Sequence, residues 1–87
     1  MISHTTERFR KMFADLPESI QRQARKAYKQ FQKDPYHSSL YFKSVHTTKP
    51  IYSARITIDY RAVGIQNEMV LFWIGAHKEY DKLLYRL

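Results

Sequence analysis

The chain reads as an α+β domain: an N-terminal helical hairpin packed on a small four-stranded antiparallel sheet, closed by a short C-terminal helix. Three observations carry that reading. Apolar residues recur at helical spacing up to about residue 33, the period changes to two after Pro35, and a helical pattern returns after Gly75. The 87 residues make one domain, 1–87, with no repeat, low-complexity tract or Gly/Ser linker to divide it. With 44% hydrophobic and 15% aromatic residues the chain can build a core, much of it from aromatic rings.

Residues 6–16 place Phe9, Met12, Phe13 and Leu16 on one helical face, with Arg8, Lys11 and Asp15 turned away. Thr5 or Thr6 can cap its start. Leu16-Pro17 breaks this helix, and Pro17 then falls near the first position of the next, with Glu18 suiting the positive end of its dipole. Ile20, Ala24, Ala27 and Phe31 form the second stripe, with Tyr28 at its edge, and Arg22, Arg25, Lys26, Lys29 and Lys33 lie opposite. Asp34 precedes Pro35 and is pushed out of the helical region, so the helix stops there. Two such helices cannot bury their stripes alone and need a sheet.

The sheet follows. Leu40 and Phe42 alternate with Tyr41 and Lys43, then "TTKP" interrupts. In "YSARITIDY", Tyr52, Ala54, Ile56 and Ile58 are expected to face the helices, leaving Ser53, Arg55, Thr57 and Asp59 on the other side. "RAVGIQ" and "MVLFWIGA" read as a hairpin linked through Asn67-Glu68, whose second strand is apolar on both faces and so should be central. "HKEYDKLLYRL" closes the chain as the last helix.

Composition narrows the chemistry. With no cysteine there are no disulfides and no thiolate zinc sites, and His4, His37, His46 and His77 lack metal-ligand spacing, so no metal or cofactor is expected. No P-loop or G-x-G-x-x-G occurs, and the serines have no His-Asp partners at triad spacing. Nothing approaches the ~18–20 apolar residues of a membrane span or the h-region of a signal peptide, so a cytoplasmic protein is expected. Fifteen Lys and Arg against eight Asp and Glu give a net charge of +7 and a pI of about 9.8. That excess favours polyanionic partners, nucleic acid or an acidic protein.

Several cations are placed to converge. Arg55 and Lys43 should share the sheet side away from the helices, Arg61 opens the next strand, and Lys49 lies in the preceding loop. His77 ends the uncharged strand, and Tyr80 falls on its side one helical turn later. Histidine changes charge near neutral pH and suits proton transfer. RNA carries its own nucleophile, the 2′-OH. Its cleavage requires a base, an acid and cations on the phosphoryl oxygens, which this set supplies.

The succession "LPESIQRQARKAYKQFQKDP", "SLYFKSV", "YSARITIDYRAVG" and "LFWIGAHKEYDKLL" resembles the RelE/ParE superfamily of type II toxin–antitoxin toxins, over about residues 9 to 84. The strand pair and the "W-I-G-x-H-x-E-Y-D" ending carry the resemblance together. It implies the same RelE-like fold and a cytoplasmic toxin, neutralised by an antitoxin that wraps its basic surface. RelE-like members cut mRNA in the ribosomal A site without metal. By motif, Arg55 and Arg61 correspond to phosphate-stabilising cations, His77 to the last-strand position where relatives carry His or Arg, and Tyr80 to an aromatic that stacks on the base or assists proton transfer. Lys26, Lys29, Lys43, Lys49 and Lys78 are then the expected contacts to mRNA and ribosomal RNA. Two positions depart from the pattern: relatives place the aromatic where this chain has Asp81, and one strand cation aligns with Ser53. ParE-like members poison DNA gyrase instead, which is the alternative.

Overall fold

The structure is a computed structural model, and it describes residues 4–34, 36–66 and 70–86. Strand β1 (His4–Thr5) leads into helix α1 (Glu7–Ala14), followed by α2 (Glu18–Lys33) and a single 3-10 turn (Ser38–Leu40). Strands β2 (Lys43–Ser44), β3 (Ile51–Thr57), β4 (Tyr60–Ile65) and β5 (Val70–Ala76) come next, and α3 (His77–Arg86) follows without a linker. Thr6 caps α1, its Oγ1 accepting from the Phe9 backbone N–H at 3.1 Å. Pro17 occupies the N-cap of α2, and extended Asp34 ends it.

Among the described residues the sheet has five strands in the order β1-β5-β4-β3-β2, one more than expected. The addition is β1, a two-residue strand parallel to β5, with His4 opposite Val70 and Thr5 opposite Leu71. Two residues carry no period, so only docking on a neighbouring strand defines this one. The other pairings are antiparallel. The expected alternation from Leu40 to Lys43 also resolves differently: Leu40 ends the 3-10 turn, and only Lys43 and Ser44 pair with β3. The proposed Asn67-Glu68 link lies outside the described residues.

The sheet buries both faces in separate cores. Tyr52, Ala62, Leu71 and Ile74 meet Ala24 and Phe31 of the helical hairpin, together with Leu40. Ile51, Val63 and Trp73 meet Tyr80 of α3 on the other side. A bulge in β5 lets this happen, because Gly64 pairs with Leu71 and Val63 with Trp73, leaving Phe72 as the extra residue. Leu71 and Ile74 thereby share a face despite being three apart. Ile58, expected to face the helices, lies instead in the β3–β4 turn and is 68% exposed.

Tyr52 is the centre of the hairpin-side core. Its ring stacks on Phe31 at 5.8 Å and packs against Phe42 at 4.7 Å. It stands so close over Gly64 that a Cβ there would lie 2.7 Å from its hydroxyl oxygen, so only glycine fits under it. That hydroxyl is buried without a hydrogen-bond partner among the described residues. Burial, with a smaller contribution from Tyr28, pushes the Tyr52 phenol up from its ordinary value. The folded state therefore keeps this phenol neutral. Its contribution is complete below about pH 10, where the unfolded chain is also neutral, and is lost as pH climbs through the raised folded value. Tyr52→Phe removes an unpaired polar atom while keeping the ring. Chemical denaturation should show equal or greater stability at neutral pH, by up to about 1 kcal/mol, and a shallower loss above pH 10 than the parent.

Candidate active site

Strand alternation sorts the charged residues. Tyr52 packs into the hairpin-side core and Ser53 points at the α3 side, where it meets Tyr80; alternation assigns Arg55 to the side of Ser53, at a sheet margin where it also borders the groove under the hairpin. The register then aligns two rows across that face. Lys43, Ser53, Val63 and Trp73 form one, and Arg55, Arg61 and Gly75 form the next. Arg55 and Arg61 are direct cross-strand partners. Among the described residues, no carboxylate makes an ion pair with either guanidinium.

Each arginine is held differently. Arg61 folds back onto the β3–β4 turn, its Nη1 donating to the carbonyl oxygens of Thr57 at 2.6 Å, Tyr60 at 3.0 Å and Ile58 at 3.2 Å. Those bonds fix one end of the guanidinium and leave its other nitrogens as donors. Arg55 lies over the ring of Tyr41, its guanidinium carbon 4.9 Å from the ring centre. Tyr41 was not singled out in the sequence.

His77 is set by three anchors. It follows Ala76, which pairs with Tyr60, and its backbone N–H donates to the Asp59 carbonyl at 2.6 Å. Its ring meets the edge of Tyr80 at 5.6 Å. Nδ1 lies 3.3 Å from Asp81 Oδ2, one helical turn on. The ring is half-exposed. Asp81, read from sequence only as a departure from the family pattern, is the carboxylate that stands beside the imidazole. Among the described residues no three His, Cys, Asp or Glu side chains gather as a metal site.

Tyr80 sits elsewhere than expected. Its ring is 4% exposed, against Trp73, and its hydroxyl donates to Ser53 Oγ at 3.0 Å. A docked Tyr80 offers no face to a base; it pins α3 to the sheet. Ser53, 2% exposed, is the other half of that pin, which accounts for a small hydroxyl where relatives carry a cation.

The lysines are dispersed. Lys43 lies on the arginine side, one row away, exposed. Lys49, expected to converge with Arg55, precedes Ile51 at the far end of β3, and four residues of strand at ~3.3 Å each separate Ile51 from Arg55 by about 13 Å. Lys26 and Lys29 are exposed on α2 and Lys78 in the first turn of α3. None of these three stands in the arginine rows.

On the opposite face a groove of about 540 Å³ opens between the hairpin and the sheet, lined by Phe9, Phe13, Phe31, Leu40, Ile56 and Ile74 among others. Arg10, Arg25 and Arg55 also border it. Arg25 already lies 5.2 Å over the Phe13 ring.

The family model described as a ParE-like toxin domain matches residues 18–82. The chain belongs to that family. It is accordingly a toxin of the RelE/ParE superfamily, with the α+β fold anticipated for it. Solved structures share the architecture at low identity. A chain of the RelB-RelE antitoxin-toxin complex from Methanococcus jannaschii superposes with a TM-score of 0.70 at 16% identity, covering 91% of this chain and 96% of that one. The archaeal RelE-RelB complex from Pyrococcus horikoshii gives 0.63 at 16% identity, over 87% and 96%. A copper-bound mutant toxin from Helicobacter pylori gives 0.60 at 18%, over 91% and 98%. No curated protein sequence matches this one. Among the described residues of this toxin, no helix is long and apolar enough to cross a membrane.

The Tyr80–Ser53 pin generates a test. Ser53→Ala leaves a buried phenol hydroxyl without its acceptor, which should reduce stability by about 1–3 kcal/mol. Amide hydrogen exchange should show α3 losing protection before β4 does; unchanged protection in α3 would mean that other packing holds it.

Proposed function

We propose that this toxin is an endoribonuclease that cuts mRNA at the ribosome and is held inactive by a cognate antitoxin. The observation that supports it is the Arg55–Arg61 pair. Like charges directly opposite one another on a sheet destabilise it, and no carboxylate among the described residues offsets them. A bound phosphodiester would. His77 stands at the end of the adjoining strand, half-exposed with the Asp81 carboxylate 3.3 Å from Nδ1, and in this reading exchanges a proton with the 2′-OH or the departing 5′-oxygen. In this reading Arg55 and Arg61 stabilise the charge gathering on the phosphoryl oxygens, and Tyr80 acts through Ser53 to hold α3, and with it His77, in place. Lys43 extends the cationic face, and Lys26, Lys29 and Lys78 are exposed to meet ribosomal RNA.

The antitoxin partner follows from the archaeal neighbours, which are antitoxin–toxin complexes. The groove under the hairpin suits one segment of such a partner. Its apolar lining and arginine border ask for an amphipathic stretch with acidic flanks.

Primer extension on mRNA from expressing cells tests the reading. The parent should produce new 5′ ends within translated codons, and His77→Ala should reduce them ~10²–10⁴-fold while leaving antitoxin affinity unchanged. Intact mRNA accompanied by DNA breaks would sink the nuclease and leave the gyrase-directed activity that ParE-like members have.

A further inference from the structure

The arginine face has an aromatic neighbour with an unusual backbone. Tyr41 follows the 3-10 turn with φ of 45°, and it is the non-glycine residue with positive φ among those described. Asparagine and glycine enter that left-handed region readily, whereas a bulky aromatic seldom does. Burial does not repay the strain, because Tyr41 is 61% exposed. What the conformation achieves is placement: Tyr41 lies two residues before β2, and the Arg55 guanidinium lies over its ring at 4.9 Å. Strained, exposed residues held in this way are characteristic of ligand clamps.

We propose that Tyr41 is the nucleobase platform of the site, receiving the unstacked base of a nucleotide next to the phosphodiester held by Arg55 and Arg61. The inference rests on the nuclease reading and deepens it by assigning the side chain that receives the base. An exposed ring beside paired cations is how sequence-tolerant single-strand binding is built, with bases on aromatic faces and phosphates on arginines. Arg55 covers one side of the ring and leaves the other to a base. Tyr80 is enclosed by Trp73 and Ser53 and cannot serve. The same guanidinium touches both ring and phosphate in this arrangement, so Tyr41 also positions Arg55.

The test separates stacking from cleavage. A short 2′-O-methyl RNA, which lacks the nucleophile, carries 2-aminopurine, whose fluorescence falls when it stacks. The parent protein and Tyr41→Phe should both quench it. Tyr41→Asn, whose side chain suits the left-handed backbone, should lose the quenching and bind about tenfold more weakly, with an unfolding temperature no lower than the parent's. Tyr41→Gly serves as the second ring-less variant if Tyr41→Asn does not fold. Full quenching by both ring-less variants overturns the platform, as does a loss confined to antitoxin binding. Quenching that depends on Tyr41 in a protein that leaves mRNA intact upholds the platform and overturns the nuclease; mRNA cleavage with Tyr41-independent quenching does the reverse.

Discussion

The contact between the Tyr80 hydroxyl and Ser53 Oγ governs how the rest of this toxin is arranged. Helix α3 starts at the residue after β5, so its first turn has no freedom of its own. Once Tyr80 is docked against Trp73 and bonded to β3, the direction of α3 is determined, and the position of His77 with it. A buried hydroxyl pair of this kind is strongly directional, because either partner left alone loses its solvation without recompense. The same helix decides what stays open. It packs on Ile51, Val63 and Trp73 and starts beside the row that carries Arg55 and Arg61.

One sheet therefore serves two purposes on its two sides. Toward the hairpin it is apolar, with Tyr52 wedged between Phe31, Phe42 and the bare backbone of Gly64. Toward α3 it is divided between a second core and a cationic strip. The strip works against stability, since two arginines face each other and Tyr41 holds a disfavoured backbone beside them. The two cores supply the excess that tolerates it. Conflict between local preference and global fold, concentrated at one edge, is the usual mark of a site rather than of a scaffold.

Several functional assignments depended on distances that no pattern encodes. The period of β3 assigns Arg55 to the side of Ser53, yet nothing in the letters shows that a left-handed residue before β2 brings the Tyr41 ring beneath its guanidinium. Lys49 read as convergent because it lies near Arg55 in sequence; an extended chain carries it to the opposite end of the strand. Tyr80 shared a helical face with His77, as the i, i+3 spacing required, and that face turned out to be the buried one. Asp81 became the partner of His77 only because a helix brings i and i+4 together.

By itself the sequence determined what periodicity and punctuation can express: both helices of the hairpin and their inner faces, the 52–57 strand, the antiparallel succession, the last helix and the basic character. These follow from local sterics and from which side of an element is apolar. Tertiary structure alone decided the fifth strand, the bulge that puts Leu71 and Ile74 on one face of β5, the burial of Tyr80 and the company that Arg55 keeps. Those outcomes arise where segments distant in the chain compete for the same surface, and a two-residue strand or a single hydroxyl has no repeat through which to announce itself.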